Sequence, residues 1–177
     1  MLRFMDEESV AVEDIGDAVR QHRALKTATL YRIALLDAQL VQRPILLRNA
    51  NPTGQEALVA AGVTSVEEAS VFAILPSGDF EDIRLFEAYD LYGREVEQLI
   101  FFVTDRIYRF MINDAQLAWG QSEITGRALR QLAALIYDEV TLYQERPATG
   151  DRRRVDDADL IDLSQGGVER FVTSHLV

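Results

Sequence analysis

Tyr31-Arg32-Ile33-Ala34-Leu35-Leu36-Asp37-Ala38-Gln39-Leu40 returns 77 positions later as Tyr108-Arg109-Phe110-Met111-Ile112-Asn113-Asp114-Ala115-Gln116-Leu117, with six of the ten residues identical. Four further landmarks follow in the same order. Thr53-Gly54 pairs with Thr125-Gly126, Asp90-Leu91 with Asp162-Leu163, Val96-Glu97 with Val168-Glu169, and Phe102-Val103-Thr104 with Phe171-Val172-Thr173. The spacing drifts from 77 to 72 to 69 residues, so short insertions separate the matches. Five landmarks in one order mean two copies of one unit, each of roughly 70 to 75 residues. Solenoid repeats of about 20 to 50 residues cannot fold alone, whereas a unit of this length can close its own core. The 177 residues therefore read as two tandem globular domains.

The period of the apolar residues sets the elements of each copy. Tyr31, Ile33 and Leu35 alternate with Arg32 and Ala34, and Tyr108, Phe110 and Ile112 with Arg109 and Met111. Period two with aromatic and β-branched residues predicts a strand with one buried face. Asp37-Ala38-Gln39 and Asp114-Ala115-Gln116 predict a tight turn, and a second strand follows. In copy two that strand carries Leu117 and Trp119; in copy one it runs from Leu40 and Val41 to Ile45-Leu46-Leu47. Pro44 has no N–H to donate, so it places this strand at an edge or a bulge.

A helix comes next. Thr53 and Thr125 are candidate N-caps, whose hydroxyl oxygens can accept an orphan N–H of the first turn. Glu56 stands three residues after Thr53, at capping-box spacing. Leu129, Leu132, Ala133 and Ile136 lie on one helical face; Ala57, Leu58 and Ala61 form a narrower stripe, with Gly62 as the stop. Val71–Leu75 and Val140–Tyr143 predict a third strand, and Phe-Val-Thr closes each copy as the last one, ending near Val172 or Thr173 in copy two. Gly166-Gly167 precedes that strand and reads as a turn. The sum is an α+β roll: a hairpin, a covering helix and returning strands.

In this order the motifs resemble the bacterial ubiquitin-like repeat called multiubiquitin. The resemblance rests on Ile124-Thr125-Gly126, Leu129, Leu132-Ala133 and Gly167-Val168-Glu169-Arg170-Phe171-Val172-Thr173 in copy two. Copy one matches through Pro52-Thr53-Gly54, with a three-residue interruption between Val96-Glu97 and Phe102-Val103-Thr104. The resemblance implies two tandem ubiquitin-like β-grasp domains, at 29–105 and 106–177, behind an acidic, partly helical N-terminal extension at 1–28. It also implies a non-enzymatic protein modifier, conjugated through its C-terminus. The partners it implies are activating, conjugating and peptidase proteins of the same operon, and the implied setting is antiphage defence.

The end of the chain departs from the ubiquitin pattern, because Phe171-Val172-Thr173-Ser174-His175-Leu176-Val177 carries no terminal Gly-Gly. Thr173, Ser174, His175, Leu176 and Val177 are thus the expected conjugation or processing region. The alternative is a tandem adaptor that binds without covalent attachment, or a scaffold that self-associates through the acidic first copy and the arginine-richer second. Residues 31–105 carry a net −7 and residues 106–177 a net −2.

Composition bounds the remaining classes. A net charge of −11 argues against nucleic acid, and Arg152-Arg153-Arg154 lies among Asp151, Asp156, Asp157 and Asp159, where its field is largely cancelled. There is no cysteine, and His22 and His175 are the only histidines, so no metal, cofactor or catalytic residue is assigned. No apolar run reaches the roughly 20 residues of a membrane span, and the acidic N-terminus lacks a signal-peptide core. A cytoplasmic protein is expected. Of 18 basic residues one is lysine, Lys26. In residues 1–28, Val12, Ile15, Val19 and His22 recur at helical spacing, predicting an amphipathic helix that packs on the first domain or meets a partner.

Overall fold

The alternating stretch that opens each copy is a strand, and the rest of the copy is built around it. The computed structural model describes residues 11–137 and 141–174. In the first half the elements are β1 (Val12–Asp14), α1 (Ile15–Arg20), β2 (Leu30–Leu36), β3 (Gln42–Leu47), α2 (Gly54–Ala60), β4 (Ser70–Ile74), β5 (Phe80–Asp82) and β6 (Gln98–Phe102). The second half holds β7 (Tyr108–Ile112), β8 (Ala115–Trp119), β9 (Glu123–Thr125), α3 (Gly126–Ala134), β10 (Leu142–Glu145), β11 (Arg152–Arg154), β12 (Leu160–Asp162) and β13 (Glu169–Thr173).

The first sheet runs β3-β2-β6-β4-β5 and the second β8-β7-β13-β10-β11. In each, the opening strand pairs antiparallel with its hairpin partner and parallel with the last strand of its half. This mixed α/β arrangement fits the expected β-grasp. A two-stranded ladder of β9 and β12 adds to the second half and has no counterpart in the sequence reading. Val140 of the expected third strand lies outside the described residues; the observed strand is Leu142–Glu145.

The helix starts follow from Thr-Gly. Thr53 accepts from the N–H of Glu56 at 3.2 Å and Thr125 from the N–H of Ala128 at 3.1 Å, so both threonines cap as expected. The glycine after each has a separate reason. A Cβ on Gly54 would collide with the carbonyl oxygens of Ile83 and Arg84, and one on Gly126 with that of Asp156. In both halves the loop after the fifth strand lies against the first helical turn and accepts its N–H groups, from Gly54 to Arg84 at 2.9 Å and from Arg127 to Asp157 at 3.2 Å. Gly62, at φ +89°, ends α2 with the paired C-terminal bonds Gly62 to Val59 and Val63 to Leu58. Helix α3 stops at Ala134, two residues short of Ile136, the last residue of the expected face, which is half-buried beyond the helix end.

The hairpins differ. In copy one Leu36 faces Gln42 across a five-residue loop held by the Asp37 carboxylate, which accepts from Gln39 at 2.9 Å and Val41 at 3.0 Å. In copy two Ile112 faces Ala115, so the turn is Asn113-Asp114 and both Ala115 and Gln116 belong to the strand. The expected Asp114-Ala115-Gln116 turn is therefore corrected. The shared Asp-Ala-Gln-Leu is not structurally equivalent: Leu117 pairs with Phe110, the place that Ile45 takes opposite Ile33. Pro44 sits on β3, which among the described residues pairs only with β2, as an edge position requires.

The N-terminal extension is also corrected. Val12 lies in β1, which runs parallel to β2, and α1 spans only Ile15–Arg20; His22 follows it at φ +50°. Ile15 and Ala18 are fully buried in the core of the first half, which places the described part of the extension on that half. Glu13 ties it down. Its carboxylate accepts from Arg23 at 2.8 Å through both oxygens, from the N–H of Lys26 at 2.8 Å and from that of Asp14 at 3.0 Å. The Arg23 guanidinium and these N–H groups hold its carboxyl well below the usual range, at about 2.

The two halves share one apolar body. Sheet alternation sends Val71, Ala73 and Leu99 toward α2, and Phe72, Ile74, Ile100 and Phe102 to the opposite, helix-free face. That face is continuous with the core of the second half. Phe102 meets Trp119 edge-on, ring centroids 5.4 Å apart, and a Cβ on Gly120 would come within 2.8 Å of the Phe102 ring. The Arg109 guanidinium lies 5.0 Å from the Phe72 ring centre and donates to the Phe80 carbonyl at 3.3 Å. Asp79, in the β4–β5 turn, accepts from the N–H of Gln116 at 2.7 Å, satisfying the outer edge of β8.

A core continuous across both halves implies one cooperative unit. Urea unfolding followed by circular dichroism and by the fluorescence of Trp119, the only tryptophan, should give coincident transitions; separate midpoints would mean the halves fold independently. Glu13 should add a pH dependence. Its folded-state pKa is lowered, so its stabilisation is present above the ordinary glutamate range and is lost as pH falls toward about 2. Glu13→Gln should therefore cost about 2 kcal/mol at neutral pH and flatten the stability curve below pH ~4.5 in acid titrations of the unfolding midpoint.

Candidate functional site

The expected functional region is the end of β13, and its first residue belongs to the fold. Thr173 is fully buried. Its N–H donates to Asn113 Oδ1 at 3.0 Å, and Asn113 Nδ2 donates to its Oγ1 at 3.1 Å. Asn113 can reach both because it occupies the left-handed region, φ +53°, in the two-residue turn between β7 and β8. Asparagine tolerates that conformation better than most side chains. Its own N–H donates to the Phe171 carbonyl at 2.8 Å. The first hairpin turn of this half is thus pinned to its last strand.

Ser174 is the first exposed residue beyond the strand, and its N–H donates to the Thr141 carbonyl at 2.9 Å. His175, Leu176 and Val177 of the expected region lie outside the described residues. The strand ends at Thr173, as expected. Gly167, at φ +93°, makes the turn that leads into it.

Strand register corrects the last sequence landmark. Against the opening strand, Leu35 faces Leu99 in the first half and Ile112 faces Phe171 in the second. Leu99-Ile100-Phe101 is therefore the counterpart of Phe171-Val172-Thr173, at the same spacing of 72 that joins Val96-Glu97 to Val168-Glu169. The Phe-Val-Thr at 102–104 is a chance likeness three residues further on, and the expected interruption does not exist. Phe102 stands where Ser174 stands. In the first half that position is a buried contact with Trp119, and the chain goes on into β7.

The helix-free faces of the two sheets differ accordingly. Tyr143 and Val172 take the places of Phe72 and Ile100, and Glu145 that of Ile74. Arg170 and Met111 complete the row on the second sheet. The arginine run forms an edge strand, β11, and its charges are met nearby, as expected: Arg152 by Glu145 at 3.6 Å, Arg153 by Asp159 at 3.9 Å and Arg154 by Asp156 at 3.7 Å. Among the described residues no group of three or more His, Cys, Asp or Glu is placed to hold a metal ion. Nor is any described helix long and apolar enough to cross a membrane.

The half built by β7 to β13 has a counterpart among known families. A family model described as Multiubiquitin matches residues 108–175. The second half is multiubiquitin-like. The match begins at the first residue of β7 and ends one residue past Ser174, and it covers less than half of the chain. No curated protein matches the chain.

If Asn113 anchors the multiubiquitin-like strand, replacing it separates two effects. Asn113→Gly keeps the left-handed turn and loses the side-chain bonds; Asn113→Ala loses both. We expect losses of about 1.5 and about 2.5 kcal/mol in urea unfolding, with slowed amide exchange confined to the wild-type β13.

Proposed function

We propose that the chain is a ubiquitin-like protein modifier, conjugated through its C-terminal segment by activating and conjugating enzymes encoded beside it. In this reading it is the substrate of those enzymes, works in the cytoplasm and serves antiphage defence. The observation that carries the reading is the multiubiquitin match over a half whose central last strand leads to the exposed Ser174. A terminal segment leaving a central strand can extend into an enzyme's cleft without disturbing the sheet. The attachment point in this reading lies within residues 174–177, because Thr173 is buried and bonded to Asn113. Lys26, the one lysine, is exposed, so self-linked chains would have few amines to grow on.

A second reading keeps the chain as a non-covalent adaptor or a self-associating scaffold. Its support is the helix-free face of the second sheet, where Tyr143 and Val172 are half-buried beside the exposed Arg170. The equivalent face of the first sheet is covered from within the chain and does not serve.

The two readings separate in cells that carry the neighbouring enzymes. The intact chain should give slower-migrating adducts, and removal of residues 174–177 should abolish them while leaving the unfolding midpoint within about 0.5 kcal/mol of wild type. Intact mass after exposure to the accompanying peptidase should show whether residues are trimmed first. Adducts that persist after the truncation exclude attachment through the C-terminus; their absence from the intact chain favours the adaptor. Lys26→Arg should remove adducts of the chain with itself and leave those with other proteins.

A further inference from the structure

The two halves differ at the foot of their opening strands. In the first half β1 runs beside the start of β2, with Val12, Glu13 and Asp14 opposite Leu30, Tyr31 and Arg32, and β6 joins β2 only from Ala34 onward. Helix α1 then lies on the chain that leads into β6. A Cβ on Gly16 would stand 3.1 Å from the Glu97 carbonyl oxygen, and Arg20 pairs with the Glu97 carboxylate at 3.6 Å. Ile15, Ala18 and Val96 are all fully buried in one core. In the second half Ile107, Tyr108 and Arg109 are the counterparts of Leu30, Tyr31 and Arg32, at the spacing of 77. Strand β13 joins β7 only from Phe110 onward, and among the described residues no strand takes the place of β1 beside Tyr108 and Arg109. Val168, the counterpart of Val96 at the spacing of 72, is 44% exposed. A Cβ on Gly166 or Gly167 would meet nothing within 4 Å. The turn itself is alike in both halves, with Glu95 at φ +56° and Gly167 at φ +93°, so the exposure of Val168 follows from the missing cover.

We propose that this vacant place binds a segment of a partner protein built like the chain's own residues 12–20: a short acidic strand parallel to β7 that leads into a helical turn. The first half shows what the place takes when it is filled. The strand adds to the open edge of β7 through backbone amides. The helical turn brings an apolar side chain, as Ile15 does, toward Val168, and a small residue after it, as Gly16 is, allows the close approach to the Glu169 backbone. Charge favours an acidic segment. Residues 12–20 hold Glu13, Asp14 and Asp17 against Arg20, and the vacant place stands beside Arg106 and Arg170, both exposed. The extension of a second copy is already committed to its own first half, where Ile15 and Ala18 are fully buried, so the occupant comes from another protein. The inference rests on neither reading of the function and holds for a conjugated chain and for an adaptor alike.

The extension supplies the probe. A capped peptide of residues 11–23, which keeps Arg23 as the partner of Glu13, is titrated into the isotope-labelled full chain, whose first site is already filled. Saturable shifts are expected in the amide resonances of Tyr108, Val168 and Glu169, with those of Tyr31 and Val96 unmoved. The same peptide carrying Ile15→Asp should bind at least tenfold more weakly. Val168→Asp in the chain should weaken binding as much without moving the unfolding midpoint, since Val168 is at the surface. Arg170→Glu should weaken it severalfold, and added salt should do the same for the wild type. An unsaturated titration overturns the proposal. Shifts at Tyr31 and Val96 alone overturn it as well, because they mean exchange with the chain's own extension. So does equal binding of the two peptides, or binding that Val168→Asp leaves unchanged.

Discussion

The second half covers the helix-free face of the first sheet, and the other features of the chain depend on that contact. A β-grasp sheet has two faces, and its own helix buries one of them. A continuous apolar row on the other face needs a cover, because each large side chain left in water costs about 1.5–3 kcal/mol relative to burial. Phe72, Ile74, Phe80, Ile100 and Phe102 form such a row, and Ala118, Trp119 and Gly120 lie in the half that closes over it. Glycine is required at 120 because the Phe102 ring occupies the space of a side chain. Arg109 and Asp79 complete the polar seams, one donating to a carbonyl of the first half and the other accepting from the outer edge of β8.

The contact fixes what each half can offer to a partner. The face that the first sheet would present is used internally. The matching face of the second sheet carries Tyr143, Glu145, Arg170 and Val172, a mixed surface that is at ease in water. The two halves therefore offer unequal faces to a partner.

The elements set by local physics were legible in the sequence. The alternation at 31–35 and 108–112, the threonine caps, the Gly62 stop and the edge proline all landed where spacing put them. Identity matching failed where it was asked to give register. Asp-Ala-Gln-Leu straddles a five-residue loop in one copy and a two-residue turn in the other, so identical letters occupy different places. Phe-Val-Thr was misplaced by three residues, since short apolar-β-branched strings recur by chance in strands. The role of Asn113 was hidden because its partner, Thr173, is 60 residues away. The amphipathic spacing of the extension ran together a strand, a one-and-a-half-turn helix and the turn after it: Ile15 is buried and Val19 half-buried, but Val12 and His22 are exposed.

One signal of the contact between halves is present in the sequence itself. Val71-Phe72-Ala73-Ile74 and Leu99-Ile100-Phe101-Phe102 are continuously apolar, the pattern of strands buried on both faces. Their counterparts, Leu142-Tyr143-Gln144-Glu145 and Glu169-Arg170-Phe171-Val172-Thr173, break the run with polar residues, the pattern of strands buried on one. Two copies of a unit that folded side by side without touching would have the same pattern. The difference between them records which face was covered, so divergence within a repeat carries information that the repeat itself does not. It also bears on the position after the last strand: the first copy places Phe102 there, against Trp119 of the second, and the second copy places the exposed Ser174.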